Sequence, residues 1–363
     1  MHITYVLGTR PEIIKLASLI QASAREGLRF TIIHTNQHYA EQMDRVFFRE
    51  LELPEPKHHL DIRSRSHGAQ IGGMLAGIER VLQAEPPAVV VVQGDTNSAL
   101  AGGLAASKLG IPVAHVEAGL RSHDRSMPEE INRVLIDHLS DYLFCPTANQ
   151  AEYLATEGIQ AGRVHVTGNT IADATLNYAE TARLRSGILG TLGLNTGKYA
   201  LLTCHRPSNT DNPEHFAALM AAVADIANLS GFTLVFPIHP RLGKQQRHAA
   251  ERHRCITLID PVGYLDMLAL LQNAALILTD SGGIQEEACI LRRKCLVLRR
   301  NIERPEALVS GGCVLPSSLE ASELLAAASA LLKRPVNWHN PFGDGLAYRR
   351  ILDILKPTID ARH

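Results

Sequence analysis

The decapeptide AVVVVQGDTN, residues 88–97, runs four consecutive valines into a turn that opens on Gly94 and Asp95. A strand with one wet face alternates apolar and polar side chains. An unbroken apolar run is buried on both faces, the habit of a parallel sheet covered by helices on either side. Runs of the same kind stand at ITYVL (3–7), FTIIHT (30–35), VAHVE (113–117), YLFCPT (142–147) and VHVTG (164–168), with longer helical patterns between them. A polar, helix-like stretch, 173–197, interrupts the series. It restarts with YALLTCH (199–205), FTLVFPIH (232–239), CITLID (255–260), ALILTD (275–280) and KCLVLR (294–299). The first half reads as a doubly wound α/β unit and the second as another. A chain of 363 residues is too long for one ordinary core and suits two domains. The expected boundaries are 1–172 and 173–345, with the terminal pattern YRRILDILKPTI forming a helix within 346–363 that packs back on the first domain.

Composition sets limits on function. The 36 Lys and Arg nearly cancel the 37 Asp and Glu, which gives no global electrostatic footprint for nucleic acid or an anionic membrane. Six scattered cysteines with no CxxC pair suit reduced thiols in a cytosolic setting. Seventeen histidines include no HExxH and no Cys/His cluster at ligand spacing, so no metal is expected, and the His58-His59 pair reads as exposed surface. The first residues reach Arg10 and Glu12 before a signal-peptide apolar region could form, and no apolar run approaches the ~20 residues that span a bilayer, so neither is expected and the expected location is the cytoplasm.

In open parallel sheets the ligand crevice lies at the carboxyl ends of the strands, where helix amino termini also point N–H groups outward. Polar residues gather at those positions here. The first strand ends in GTRPEIIK, where Arg10 and Lys15 can reach one anionic group from successive helical turns, although a charged helix start is also a sufficient reading. Asp95, after the valine run, is either a helix cap or a reactive group. The run HVEAGLRSHDRSMPEEINR, 115–133, sets Glu117, Asp124, Glu129 and Glu130 beside Arg121, Arg125 and Arg133. An i,i+4 ion pair would account for Glu129 and Arg133 on a solvated helix, but not for Glu117. From the second unit come His205 and Arg206 in TCHRPSN, and TDSGGIQEE, 279–287. There Ser281, Gly282 and Gly283 can turn donors toward phosphate, and Glu286 or Glu287 can accept from ribose hydroxyls; a plain tight turn is the alternative. No GxGxxG follows a strand, so no dinucleotide cofactor is expected. The sum is an anion cradle with acid groups opposite it, suited to a phosphate-bearing substrate and proton transfer.

The motifs GTRPEIIK, QGDTN, HVEAGLR, MPEEINR, VTGN, CHR, TDSGGIQEE and ERPEA, in this order from residue 3 to the late NPFGDGLAYRRIL, resemble the non-hydrolysing UDP-N-acetylglucosamine 2-epimerases over nearly the whole chain. The resemblance implies two Rossmann-like domains facing a central cleft, as in GT-B glycosyltransferases, and interconversion of UDP-GlcNAc with UDP-ManNAc. It implies anti elimination of UDP to a 2-acetamidoglucal intermediate and re-addition, with neither metal nor nicotinamide, in a homodimer. The family's catalytic positions fall on Asp95, Glu117, Glu129 and His205. Its substrate-binding positions fall on Arg10, Lys15, Arg133, Arg206, Ser281, Gly282, Gly283 and Glu287. Relatives of this kind often read HRxEN where this chain has His205-Arg206-Pro207-Ser208-Asn209, and Asp-Thr-Thr where it has Arg300-Asn301-Ile302. The segment from Gln37 to Asp44 departs from the QHxxMLDQ of regulated bacterial members, so weak or absent activation by a second substrate molecule is expected. The MPEEINR region also resembles epimerases of a UDP-2,3-diacetamido-uronic acid, and a GT-B glycosyltransferase is the alternative from another class.

Overall fold

The structure is a computed structural model that describes residues 2–36, 41–60, 62, 66–239 and 241–361, without the side chains of 41–44 and 361. The Gln37–Asp44 departure therefore lies outside the described residues or, over 41–44, outside the described side chains. Residue contacts divide the chain into two compact units, Met1–Ala174 with Phe342–His363, and Thr175–Pro341.

The first unit carries strands β1 (His2–Leu7), β2 (Arg29–His34), β3 (His58–His59), β4 (Val89–Gln93), β5 (Val113–Val116), β6 (Tyr142–Cys145) and β7 (Val164–Val166). They form a wholly parallel sheet in the order β3-β2-β1-β4-β5-β6-β7. The second carries β8 (Tyr199–Thr203), β9 (Thr233–Pro237), β10 (Ile256–Ile259), β11 (Leu276–Thr279), β12 (Cys295–Val297) and β13 (Cys313–Val314), parallel in the order β10-β9-β8-β11-β12-β13. Each sheet thus begins in the Rossmann order 3-2-1-4-5-6, with the chain reversing direction across the sheet between its first and fourth strands. The α/β class with two Rossmann-like sheets is as expected.

The valine run is β4, and Val89 through Gln93 are all buried, because helices cover both faces. A fully buried valine or leucine contributes about 1.5–3 kcal/mol by leaving water, so a central strand of this kind is a large share of its unit's core. β3 and β13 escape a reading by apolar runs, being only 2 residues each. β10 departs from two-sided burial, with Thr257 exposed and Leu258 and Ile259 half-buried, because it lies at the edge of its sheet.

The helix Ala347–Ala361 belongs to the first unit, where Ile351, Leu352, Leu355 and Ile359 are buried, and it lies against the helix Arg10–Arg25. Its start is held by Asp173, whose carboxylate accepts from the amides of Ala347 at 3.0 Å and Tyr348 at 2.6 Å. Burial raises the Asp173 carboxyl to about 6 despite those two bonds. Asp173→Ala leaves both amides without that acceptor and is expected to cost about 1–2 kcal/mol in denaturant unfolding, with faster amide exchange at Ala347 and Tyr348.

Candidate functional site

Chemistry-bearing side chains of each unit sit at the carboxyl ends of strands flanking its topological switch point. In the first unit these are the ends of β1, β4 and β5. Glu117 follows β5 directly, is 6 % exposed, and has a φ of +69°. A non-glycine residue there is strained by about 1–3 kcal/mol, and the surroundings must over-determine it. They do so from both sides. The amides of Glu117 and Ala118 both donate to the Phe144 carbonyl at 3.1 Å, and the side chain accepts from Lys15 Nζ and, at 3.1 Å, from Gln93 Nε2. Gly119 then turns with a φ of +82° so close to the Gln150 backbone that a Cβ would stand 2.6 Å from its carbonyl oxygen; only glycine fits.

Asp95 does not cap the helix Asn97–Lys108. Thr96 does so, its hydroxyl accepting from the Ala99 amide at 3.0 Å. Asp95 instead accepts from Arg133, 2.9 Å from Nε and 2.6 Å from Nη2. The third donor group of Arg133, Nη1, reaches Glu130 at 2.8 Å, so its ion pair within the helix Pro128–Leu139 is i,i+3 to Glu130. Glu129 is half-buried on the same helix. Glu130 also accepts from the amides of Ser122 and His123 and from the Ser122 hydroxyl, each at 2.9 Å. Burial pushes the Glu130 carboxyl up, but those donors together with Arg133 outweigh it and hold the group below the usual carboxylate range.

Lys15 and Arg10 point to different partners. Lys15 is 6 % exposed and pairs with Glu117, whereas the Arg10 guanidinium lies over the Phe47 ring, 5.7 Å from its centroid. Between them Glu12, fully buried, ties two strand ends together. Its Oε2 accepts from the Gly8 amide at 3.0 Å and the Thr9 hydroxyl at 2.8 Å, and its Oε1 from the Thr96 hydroxyl at 2.7 Å. Burial raises the Glu12 carboxyl to about 7 against the lowering effect of these bonds. Sequence reasoning passed over Glu12 because one glutamate in a helix's first turn looks like a dipole partner; its reach to Thr96 is a tertiary fact.

In the second unit the organiser is Asp280, fully buried after β11. It accepts from the His205 amide at 3.0 and 3.1 Å, the Arg206 amide at 2.9 Å and Asn209 Nδ2 at 3.0 Å. These bonds hold the segment after β8, where the His205 ring stacks on His239 with centroids 5.1 Å apart. Ser281 precedes the helix Gly282–Ile290, and its amide donates to Thr279 Oγ1 at 3.0 Å. A Cβ at Gly282 would stand 2.9 Å from Arg304 Nη1, so the guanidinium packs directly on this glycine; Gly283 faces open space. Arg304 pairs with Glu286 at 2.8 Å and Glu303 at 2.9 Å, Arg299 reaches Glu303 at 3.0 Å, and Arg206 lies 3.9 Å from it. Three guanidiniums thus converge beside one helix start. Burial first, then the neighbouring Arg299, press the Arg206 pKa below its ordinary value. Glu287 is buried against Tyr264, whose hydroxyl pKa is raised by burial and then by that carboxylate.

Away from these loops, a groove of about 880 Å³ opens at the amino ends of β1, β2 and β4, lined by residues that include His2, Arg29, Lys57 and Glu85. It sits at the wrong end of the strands for the switch-point chemistry. Among the described residues no group of three or more His, Cys, Asp or Glu is placed to hold a metal, and no helix is long and apolar enough to cross a membrane.

Glu12 supplies a pH test. Unfolded, its carboxyl titrates near 4.5, and folded near about 7, so the folded state holds the extra proton between those values. The associated stability is fully present below about 4.5 and is lost as the pH rises through about 7. Glu12→Gln lacks that proton. Relative to wild type it is expected to gain stability across the window by on the order of 1–3 kcal/mol, read from the slope of denaturant midpoints against pH.

The chain is similar to proteins of known family. The family model described as UDP-N-acetylglucosamine 2-epimerase matches residues 21–356. A UDP-N-acetylglucosamine 2-epimerase of Methanocaldococcus jannaschii is 48 % identical over 98 % of this chain and 99 % of its own. A UDP-2,3-diacetamido-2,3-dideoxy-D-glucuronate 2-epimerase of Pseudomonas aeruginosa is 39 % identical over 98 % and 99 %. The crystal structure of the M. jannaschii UDP-GlcNAc 2-epimerase with UDP-GlcNAc and UDP superposes with a TM-score of 0.92, covering 98 % of this chain and 100 % of that one at 48 % identity.

Proposed function

The chain belongs to the UDP-N-acetylglucosamine 2-epimerase family, a family of isomerases, and we propose that it interconverts UDP-GlcNAc and UDP-ManNAc by inverting C2 of the sugar. The reading is carried by two carboxylates that follow neighbouring strands, each against its own cation: Asp95 with Arg133 after β4, and Glu117 with Lys15 after β5. Acid and base groups set close together around one substrate carbon are what C2 inversion requires, because a proton must leave one face and another arrive on the other.

In the forward half a carboxylate takes the C2 proton. The C2–H electron pair becomes the C1–C2 double bond, and the C1–O bond breaks with its electrons on the UDP oxygen. In the return half that oxygen attacks C1 and an acid protonates C2 from the opposite face, so neither oxidant nor reductant is consumed. Asp95, Glu117 and Glu129 share these transfers. Arg10, Lys15 and His205 meet the charge that develops on the diphosphate, where one well-placed donor is worth roughly 3 kcal/mol. Arg206, with Ser281, Gly282 and Gly283, binds the phosphates, Glu287 accepts from the ribose, and Arg133 orients Asp95. We read the protein as a cytoplasmic homodimer that uses no metal or nicotinamide and is activated weakly or not at all by a second substrate molecule.

The 39 % identity to the P. aeruginosa epimerase favours a second reading, the same inversion on a UDP-2,3-diacetamido-uronic acid. Both nucleotide sugars incubated in D2O and followed by proton NMR separate the two, since only the true substrate gains deuterium at C2. With that substrate, Asp95→Asn and Glu117→Gln are each expected to slow C2 exchange by about 10²–10⁴-fold. UDP affinity should change little; undiminished exchange in both variants would remove them from the proton transfers.

A further inference from the structure

His115 lies in β5, two residues before Glu117, and is fully buried. Its Nε2 is 2.8 Å from the Gly94 carbonyl oxygen and its Nδ1 is 2.7 Å from Asp137 Oδ1. A carbonyl oxygen can only accept, and so can an ionised carboxylate. Both ring nitrogens therefore donate, and an imidazole that donates twice carries a positive charge. Burial pushes the Asp137 carboxyl up, but His115 and then Arg121 overturn the effect and hold it below the ordinary range.

The pair is enclosed by charge on several sides. Asp137 Oδ2 accepts from the Gly119 amide at 3.2 Å and from Arg121 Nη1 at 2.7 Å, and the far side of Arg121 is occupied by Glu157, 2.7 Å from Nε and 2.6 Å from Nη2. From β6 the Cys145 thiol faces the same carboxylate, and with burial as the larger cause its pKa is pushed up to about 12.

These bonds join three segments. Gly94 is the residue before Asp95, His115 and Gly119 bracket Glu117, and Asp137 shares the helix Pro128–Leu139 with Glu129 and Arg133. We propose that the buried His115–Asp137 pair is a positioning element for C2 inversion, holding the segments that bear Asp95, Glu117 and Glu129 in mutual register. The inference rests on the epimerase reading above. Neither residue is assigned a contact with the substrate.

Two near-isosteric variants separate the arms. In His115→Asn the amide nitrogen stands near the place of Nδ1 and keeps the donation to Asp137. In His115→Gln it stands near the place of Nε2 and keeps the donation to Gly94. Each variant is expected to lose about 10- to 100-fold in kcat, the scale seen when a group supporting a reactive residue is removed, with KM and UDP affinity within about threefold of wild type. In 15N-histidine NMR of the wild type, both His115 ring nitrogens should report as protonated. Full kcat in both variants overturns the proposal. So does a parallel fall of kcat, UDP affinity and melting temperature, which marks simple scaffolding. A singly protonated wild-type ring overturns it too, and that measurement decides alone if neither variant folds. Wild-type protein that exchanges no C2 hydrogen on either nucleotide sugar overturns the reaction and the positioning role together, whereas an active wild type beside active variants overturns the positioning role only.

Discussion

A carboxylate removed from water must be met by donors or by a cation, and much of the first unit's local architecture answers that demand. Glu12, Glu117, Glu130 and Asp137 are all buried. Each is satisfied by a group from another segment: Thr96 for Glu12, Lys15 for Glu117, Ser122 for Glu130, and His115 for Asp137. Leaving any of them unmatched costs several kcal/mol, so the loops that supply the partners have little freedom. The price of burying these charges is thereby converted into rigidity at the strand ends, which is what reacting groups placed by loops require.

The two sheets share one strand order but differ in the charge they gather at the switch point. The first collects carboxylates, each answered by a cation or by neutral donors. The second collects three guanidiniums, Arg206, Arg299 and Arg304, about Glu303 and Glu286, while Asp280 is met by the amides of His205 and Arg206. A proton-transfer centre needs the first kind of surface and a diphosphate the second. One fold topology, used twice, provides both because the carboxyl ends of parallel strands accept any side chain that the loops can hold.

Legibility followed range along the chain. The valine run of β4 and its counterparts were readable as two-sided strands because burial on both faces writes itself into consecutive residues, and the α/β class followed. β3 and β13 were not, since a two-residue edge strand leaves no pattern. The motif words placed Asp95, Glu117 and His205 after strands, which is where they stand. Their partners were opaque. Nothing local says that Arg133 turns to Asp95 across 38 residues, that Lys15 reaches Glu117 across 102, or that Glu12 meets Thr96 across 84. Asp280 and His115 sat inside quoted motifs yet looked like ordinary strand-end residues, because their work is done by burial and by contacts with other elements.

The C-terminal helix carries a consequence for how the molecule is made. Asp173 caps it from 174 residues away in sequence, and the helix packs on the helix Arg10–Arg25 with Ile351, Leu352, Leu355 and Ile359 buried. Residues 175–341 form a contiguous unit and can complete their contacts as they leave the ribosome. The amino-terminal unit, whose sheet ends at Val166, therefore receives its last helix only after the second unit has been made.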